Sequence, residues 1–181
     1  MKKSVIALIA LGAACSSACM LFPQSPEARA ASTERLQCSD PKVSQDELHV
    51  LQETVILKVE PLTFHAGANM GSEGGQRVSG AKLLVRAPDG VSIDEMTRVL
   101  QCHSAKVILG RPDPATVAGD PYILPDTWLD IDVKSENGLF AVRLSAEKVW
   151  QNLALLHRAI AFADAHPRST NPPAPPPEVV R

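Results

Sequence analysis

The sequence predicts a single small α+β domain, with a four-stranded, mostly antiparallel sheet and two helices on one face in the order ββαββα. Three observations carry that expectation. The stretch Ala81–His103 reads as a strand, a tight turn and a capped helix. Asn137-Gly138 separates two runs of alternating apolar residues, and a second helical run follows and stops at Pro167.

In the first stretch Ala81, Leu83, Val85 and Ala87 alternate with Lys82, Leu84 and Arg86, the period of a strand with one buried face. Pro88-Asp89-Gly90 ends it, because proline lacks the ladder donor and Asp-Gly favours a turn. Ser92 and Glu95 have the spacing of a capping box, and Val91 with Met96 that of a hydrophobic staple. Along the helix Ile93, Met96, Leu100 and His103 share a face, so His103 sits at the end of a core stripe.

Upstream, Thr54–Val59 is a strand with Val55, Leu57 and Val59 on one face, continuing to Phe64 as an edge or with a bulge at Pro61. A loop with five glycines follows His65; a phosphate cradle needs a helix N-terminus next, whereas a strand follows here, so it reads as a hairpin connection. Ser44 and Glu47 form a second possible capping box, opening at most a short helix through Val50.

Downstream, Leu129, Ile131 and Val133 alternate with Asp130, Asp132 and Lys134. Placing Asn137-Gly138 as a primed turn pairs Val133 with Val142, Ile131 with Leu144, and Asp132 with Arg143. A one-residue slip would bury Asp132, so the register checks itself. Ser145 reads as the cap of a helix to about Ala165, with Val149, Leu153, Leu156, Ile160 and Ala163 as its core stripe.

The N-terminus carries Met1-Lys2-Lys3 and then an apolar run from Val5 to Ala14, the pattern of an export leader. Cleavage after Ala28-Arg29-Ala30 fits the small-x-small rule. The alternative is Leu11-Gly12-Ala13-Ala14-Cys15, which resembles the lipobox of bacterial lipoproteins and implies lipidation of Cys15, although Gly12 stands where leucine is usual. The chain thus divides into a leader at 1–30 (or 1–14), a polar arm with a possible short helix at 31–53, the α+β domain at 54–166 and a Pro-rich tail at 167–181.

Cleavage after Ala30 leaves Cys38 and Cys102, an even number in an oxidising compartment and so candidate disulfide partners, whereas lipidation of Cys15 leaves Cys19 as well and the pairing open. The net charge of −2 and the lack of any Lys/Arg cluster argue against a nucleic-acid partner. The long loop at 110–127, with four prolines, is the expected recognition surface, and Arg111, Tyr122 and Trp128 are its expected contact residues. The functional expectation is a periplasmic, non-enzymatic module that binds another envelope protein through the 110–127 loop and the exposed sheet face, held at the outer membrane if Cys15 is lipidated. The alternative is a soft-metal site for copper(I), using Cys102, His103, His65 and Met70 as thiolate, imidazole and thioether donors. Adjacent Cys102 and His103 point in different directions on a helix, no second ligand pair follows, and no orienting acid marks a nucleophile–base pair, so no catalytic residue is assigned.

Overall fold

A computed structural model describes residues 24–39, 41–65, 75–111 and 117–166. Its elements run α1 (Pro26–Gln37), α2 (Pro41–Glu53), β1 (Val55–His65), β2 (Gln76–Arg86), α3 (Ile93–Ile108), β3 (Leu129–Glu136), β4 (Leu139–Ala146) and α4 (Val149–Ala165). The strands form one antiparallel sheet in the order β1-β2-β4-β3. This is the expected α+β domain, enlarged by two N-terminal helices.

The β3–β4 hairpin has the register read from Asn137-Gly138: Val133 faces Val142, Ile131 faces Leu144 and Asp132 faces Arg143. Both turn residues have positive φ, 54° and 76°, as a primed turn requires. The Asp132 carboxylate, however, pairs along its own strand with Lys134 at 3.1 Å. Ala81, Leu83 and Val85 of β2 continue the same buried face, which forms one core cluster with Met96, Val99 and Leu100 of α3 and Leu155, Leu156 and Ala159 of α4.

Five expectations need correction. Residues 26–37 form a helix, whereas the sequence places a short helix in the polar arm only from Ser44 to Val50. Ser25 caps α1 by accepting from Ala28 N at 3.2 Å, and Pro26 fits the first helical turn, where its missing N–H costs nothing. α1 has no apolar stripe: Ala30 is its only fully buried residue. Periodicity therefore could not reveal it. α2 likewise opens on Pro41 and runs to Glu53, past the expected end at Val50.

In β1 the register jumps between Ile56 and Lys58, so Leu57 is an extra residue in a bulge. That step turns Ile56 and Val59 toward the core and leaves Val55 exposed, against the simple alternation. α3 has its capping box on Ser92 and Glu95 but continues past His103 to Ile108.

The last correction concerns α4. β4 keeps Ser145 and Ala146, and the helix starts at Val149. Its buried face is Asn152, Leu155, Leu156 and Ala159, so of the expected stripe Leu156 and Ala163 meet the core while Val149, Leu153 and Ile160 are rotated outward. Polar side chains decide the rotation. Asn152 accepts from Ala146 N at 2.7 Å and donates to Ala146 O at 3.0 Å, satisfying the end of β4. Gln151 donates to Thr127 Oγ1 at 2.7 Å and accepts from Lys148 N at 3.3 Å.

Candidate functional site

One group of buried polar residues, Glu47, His103 and Asp120, gathers at α3 beside a disulfide. Cys102 is bridged to Cys38, with the Cα atoms 5.6 Å apart and the two residues 64 positions apart in sequence. The bridge joins α1 to α3, which supplies the attachment that α1 lacks in apolar surface. The expected disulfide is present.

One residue on, His103 is enclosed by two carboxylates. Its Nε2 lies 2.8 Å from Asp120 Oδ2, and Nδ1 lies 3.3 Å from Glu47 Oε1 without hydrogen-bond alignment. Lys106, one turn along α3, pairs with the other Glu47 oxygen. Asp120 Oδ1 accepts from Tyr122 N at 2.8 Å, and the Asp120 carbonyl accepts from Arg158 Nε at 2.6 Å. The cluster therefore joins α2, α3, the 117–123 segment and α4.

Carboxylates on a histidine can serve acid–base chemistry, but access decides. His103, Glu47 and Asp120 are 0, 2 and 3% exposed. Both ring nitrogens are engaged, and the neighbouring sulfur is in the bridge. This geometry holds elements together. Tyr122 packs beside it in the core, where burial, with the Asp120 charge adding to it, raises its hydroxyl above the usual phenol range and keeps it protonated.

The sequence anticipated the burial of His103 but not its partners. Spacing makes Glu47 a capping residue and puts Asp120 in a long loop. The signal available was indirect: a histidine on an apolar stripe must find polar partners when buried. Which acids meet it depends on how three separate elements pack.

The expected metal set is not assembled among the described residues. Cys102 has no thiolate to offer while bridged. His65 ends β1, with its side chain outside the described set, and Met70 and Cys15 lie outside the described residues. No group of three His, Cys, Asp or Glu among the described residues is arranged to hold a metal ion.

The expected recognition loop is also rearranged. Tyr122, Ile123 and Thr127 are buried, so the described part of the loop is a strap against the core; residues 112–116 lie outside the described set. Arg111 is exposed and paired with Glu34 of α1. Trp128 is half-buried under the Arg29 guanidinium, 5.4 Å from the ring centroid, and Arg29 also pairs with Asp130 at 2.6 Å. Beside them a shallow cleft runs between α1 and the start of α4, lined by Pro26, Trp128, Lys148 and Gln151 among others. The outer sheet face carries alternating charges, with Glu60 bound by Lys58 at 2.5 Å and Lys82 at 2.7 Å.

Among the described residues, exposed large apolar side chains gather on the outward face of α4. Val149, Trp150, Leu153 and Ile160 are 50, 68, 46 and 40% exposed on one helix. Scattered apolar residues are ordinary at a surface, whereas a contiguous apolar stripe is a feature of contact sites. Comparison with protein families, characterised proteins and solved structures finds no match for this chain.

Proposed function

We propose that the chain is an exported bacterial envelope protein that acts by binding rather than catalysis, through the outward face of α4. The partner is a protein surface, apolar and helical. The observation that carries this reading is the exposed Val149, Trp150, Leu153 and Ile160 stripe on a helix whose opposite face is fixed by Asn152 and Gln151. The 110–127 loop, with Tyr122 in the core, takes the lesser role of bracing α4 through Asp120 and Thr127.

Export is supported by the apolar Val5–Ala14 leader and by the bridged Cys38 and Cys102. Of the two processing routes, lipidation at Cys15 is the better fit. A cut after Ala30 would remove the Ser25 cap, the Arg29 contacts to Asp130 and Trp128, and Ala30 itself. Processing at Cys15 leaves α1 whole on a short tether and makes the protein a membrane-anchored lipoprotein facing the periplasm.

The test is a photo-crosslinking residue placed at Leu153, and separately at Lys134 on the sheet, in an exporting bacterium. Leu153 should give a discrete protein adduct that disappears on adding Ile160→Asp, while Lys134 gives none. Equal labelling from both positions, or no adduct from Leu153, overturns the reading. The intact mass of the same material decides the processing route.

A further inference from the structure

Trp150, Leu153, His157, Ile160 and Asp164 recur at alternating steps of three and four along α4, which is the a/d spacing of a two-stranded helical seam. Each of these five is exposed, and together they form the face opposite Leu155 and Ala159. Ala154 and Ala161 flank the seam on one side, where their small size lets a second helix approach closely. Between Trp150 and Leu156 the outward side carries no charge, so a copy of the same face meets no buried repulsion.

The charges lie at the ends. Lys148 stands over the Trp150 ring, 5.9 Å from its centroid, at the N-terminal end, and Asp164 closes the seam at the C-terminal end. A parallel copy would set Lys148 against Lys148 and Asp164 against Asp164. An antiparallel copy, turned about a twofold axis near His157, sets Lys148 of each helix toward Asp164 of the other, and Leu153 beside the other copy's Ile160. The helix dipoles then also oppose favourably.

We propose that α4 is a self-association surface, and that two copies of this chain pair through an antiparallel α4–α4 seam. This rests on the interaction reading above and names its partner. A membrane surface fits less well. An interfacial helix uses a basic flank, whereas Lys148 and Arg158 are balanced by Glu147 and Asp164, and Arg158 is tied to Asp120 O. The 17-residue helix is about 25 Å long, so the seam is small for a permanent dimer and suits reversible association.

The experiment is sedimentation equilibrium on the oxidised full chain, from micromolar to hundreds of micromolar. A concentration-dependent monomer–dimer equilibrium is expected, lost in Leu153→Asp and in Ile160→Asp, with circular dichroism confirming that both variants fold. Lys148→Glu and Asp164→Lys should each weaken association about ten-fold, because two symmetry-related contacts turn repulsive, and the double exchange should restore it. High salt should shrink the effect of the single exchanges.

A monomer at every concentration overturns the inference, as does a dimer indifferent to Leu153→Asp. Single exchanges without effect overturn the antiparallel arrangement. Adducts from Leu153 to a different protein, or binding of the monomer to phosphatidylglycerol–phosphatidylethanolamine vesicles, also overturn it. The first of those outcomes leaves the interaction reading standing; the second removes both.

Discussion

Replacing His103 by leucine tests whether the Glu47–His103–Asp120 cluster holds the fold together. The imidazole is fully buried, and its loss strands Asp120 Oδ2, 2.8 Å away, and Glu47 Oε1, 3.3 Å away, with both acids almost wholly buried. Glu47 keeps Lys106, and Asp120 keeps Tyr122 N, so neither acid loses every partner. A hydrogen bond to a charged group contributes about 1.5–3 kcal/mol, and orphaning a buried charge costs about 3–5 kcal/mol. The expected loss is therefore about 3–5 kcal/mol, a large share of the roughly 5–15 kcal/mol of a small domain. Urea unfolding followed by circular dichroism and tryptophan fluorescence measures it, with an unchanged slope confirming that the native state stays compact. The triple variant His103→Leu, Glu47→Leu, Asp120→Asn removes the stranded charges and should recover more than half of the loss. A single-variant cost below about 1 kcal/mol, or a triple variant that costs the sum of its parts, refutes the assignment.

Removing the bridge by Cys38→Ala with Cys102→Ala releases a loop closed over 64 residues, which the chain-entropy relation converts to about 4 kcal/mol; the midpoint of oxidised wild type should approach that of the variant when reductant is added. Gly80→Ala places a Cβ 2.1 Å from the Leu144 carbonyl oxygen, a backbone atom that cannot swing aside, so a thermal melt should show a loss of about 2 kcal/mol or more. Lys58, with Lys82, holds the Glu60 carboxyl down from 4.5 to about 2. Its contribution is full above the unfolded value and is lost as the pH falls through 4.5 toward 2. The stability gap between wild type and Glu60→Gln should thus be constant above about pH 5 and close by pH 2 in denaturant titrations.

Local signals were legible wherever one short stretch contained both halves of an interaction. Ser92 and Glu95 lie within one turn, and the Val133–Val142 pair spans one tight turn, so cap and register follow from spacing alone. Legibility fell where a distant contact made the choice. α1 has almost no apolar face and is held by Cys38, Arg29 and Glu34 to elements far along the chain. The bulge at Leu57 reverses the inward face of β1 for one strand segment, and a period-2 reading has no means of locating such an insertion. The His103 cluster draws its acids from Glu47 and Asp120, 56 residues before and 17 after it, and only the packing of α2 and the strap brings them together.

The rotation of α4 shows how a small polar preference sets the character of a large surface. The helix is apolar on more than one side, so turning either side inward buries comparable hydrocarbon: Leu155, Leu156 and Ala159 in one orientation, Val149, Leu153 and Leu156 in the other. The hydrophobic term, at about 25 cal/mol per Å², barely distinguishes them. The end of β4 does. Ala146 is buried with its N–H and C=O both bound by Asn152, and leaving two such groups unpaired would cost about 1–3 kcal/mol each. Gln151 adds the bond to buried Thr127. Those polar contacts select the inward face, and the Trp150–Ile160 stripe is left outward as a result. An apolar surface kept on the outside although its sequence would suit a core has the physical requirements of a contact site, and here it lies on a helix braced from behind by the strap that Asp120 and Thr127 provide.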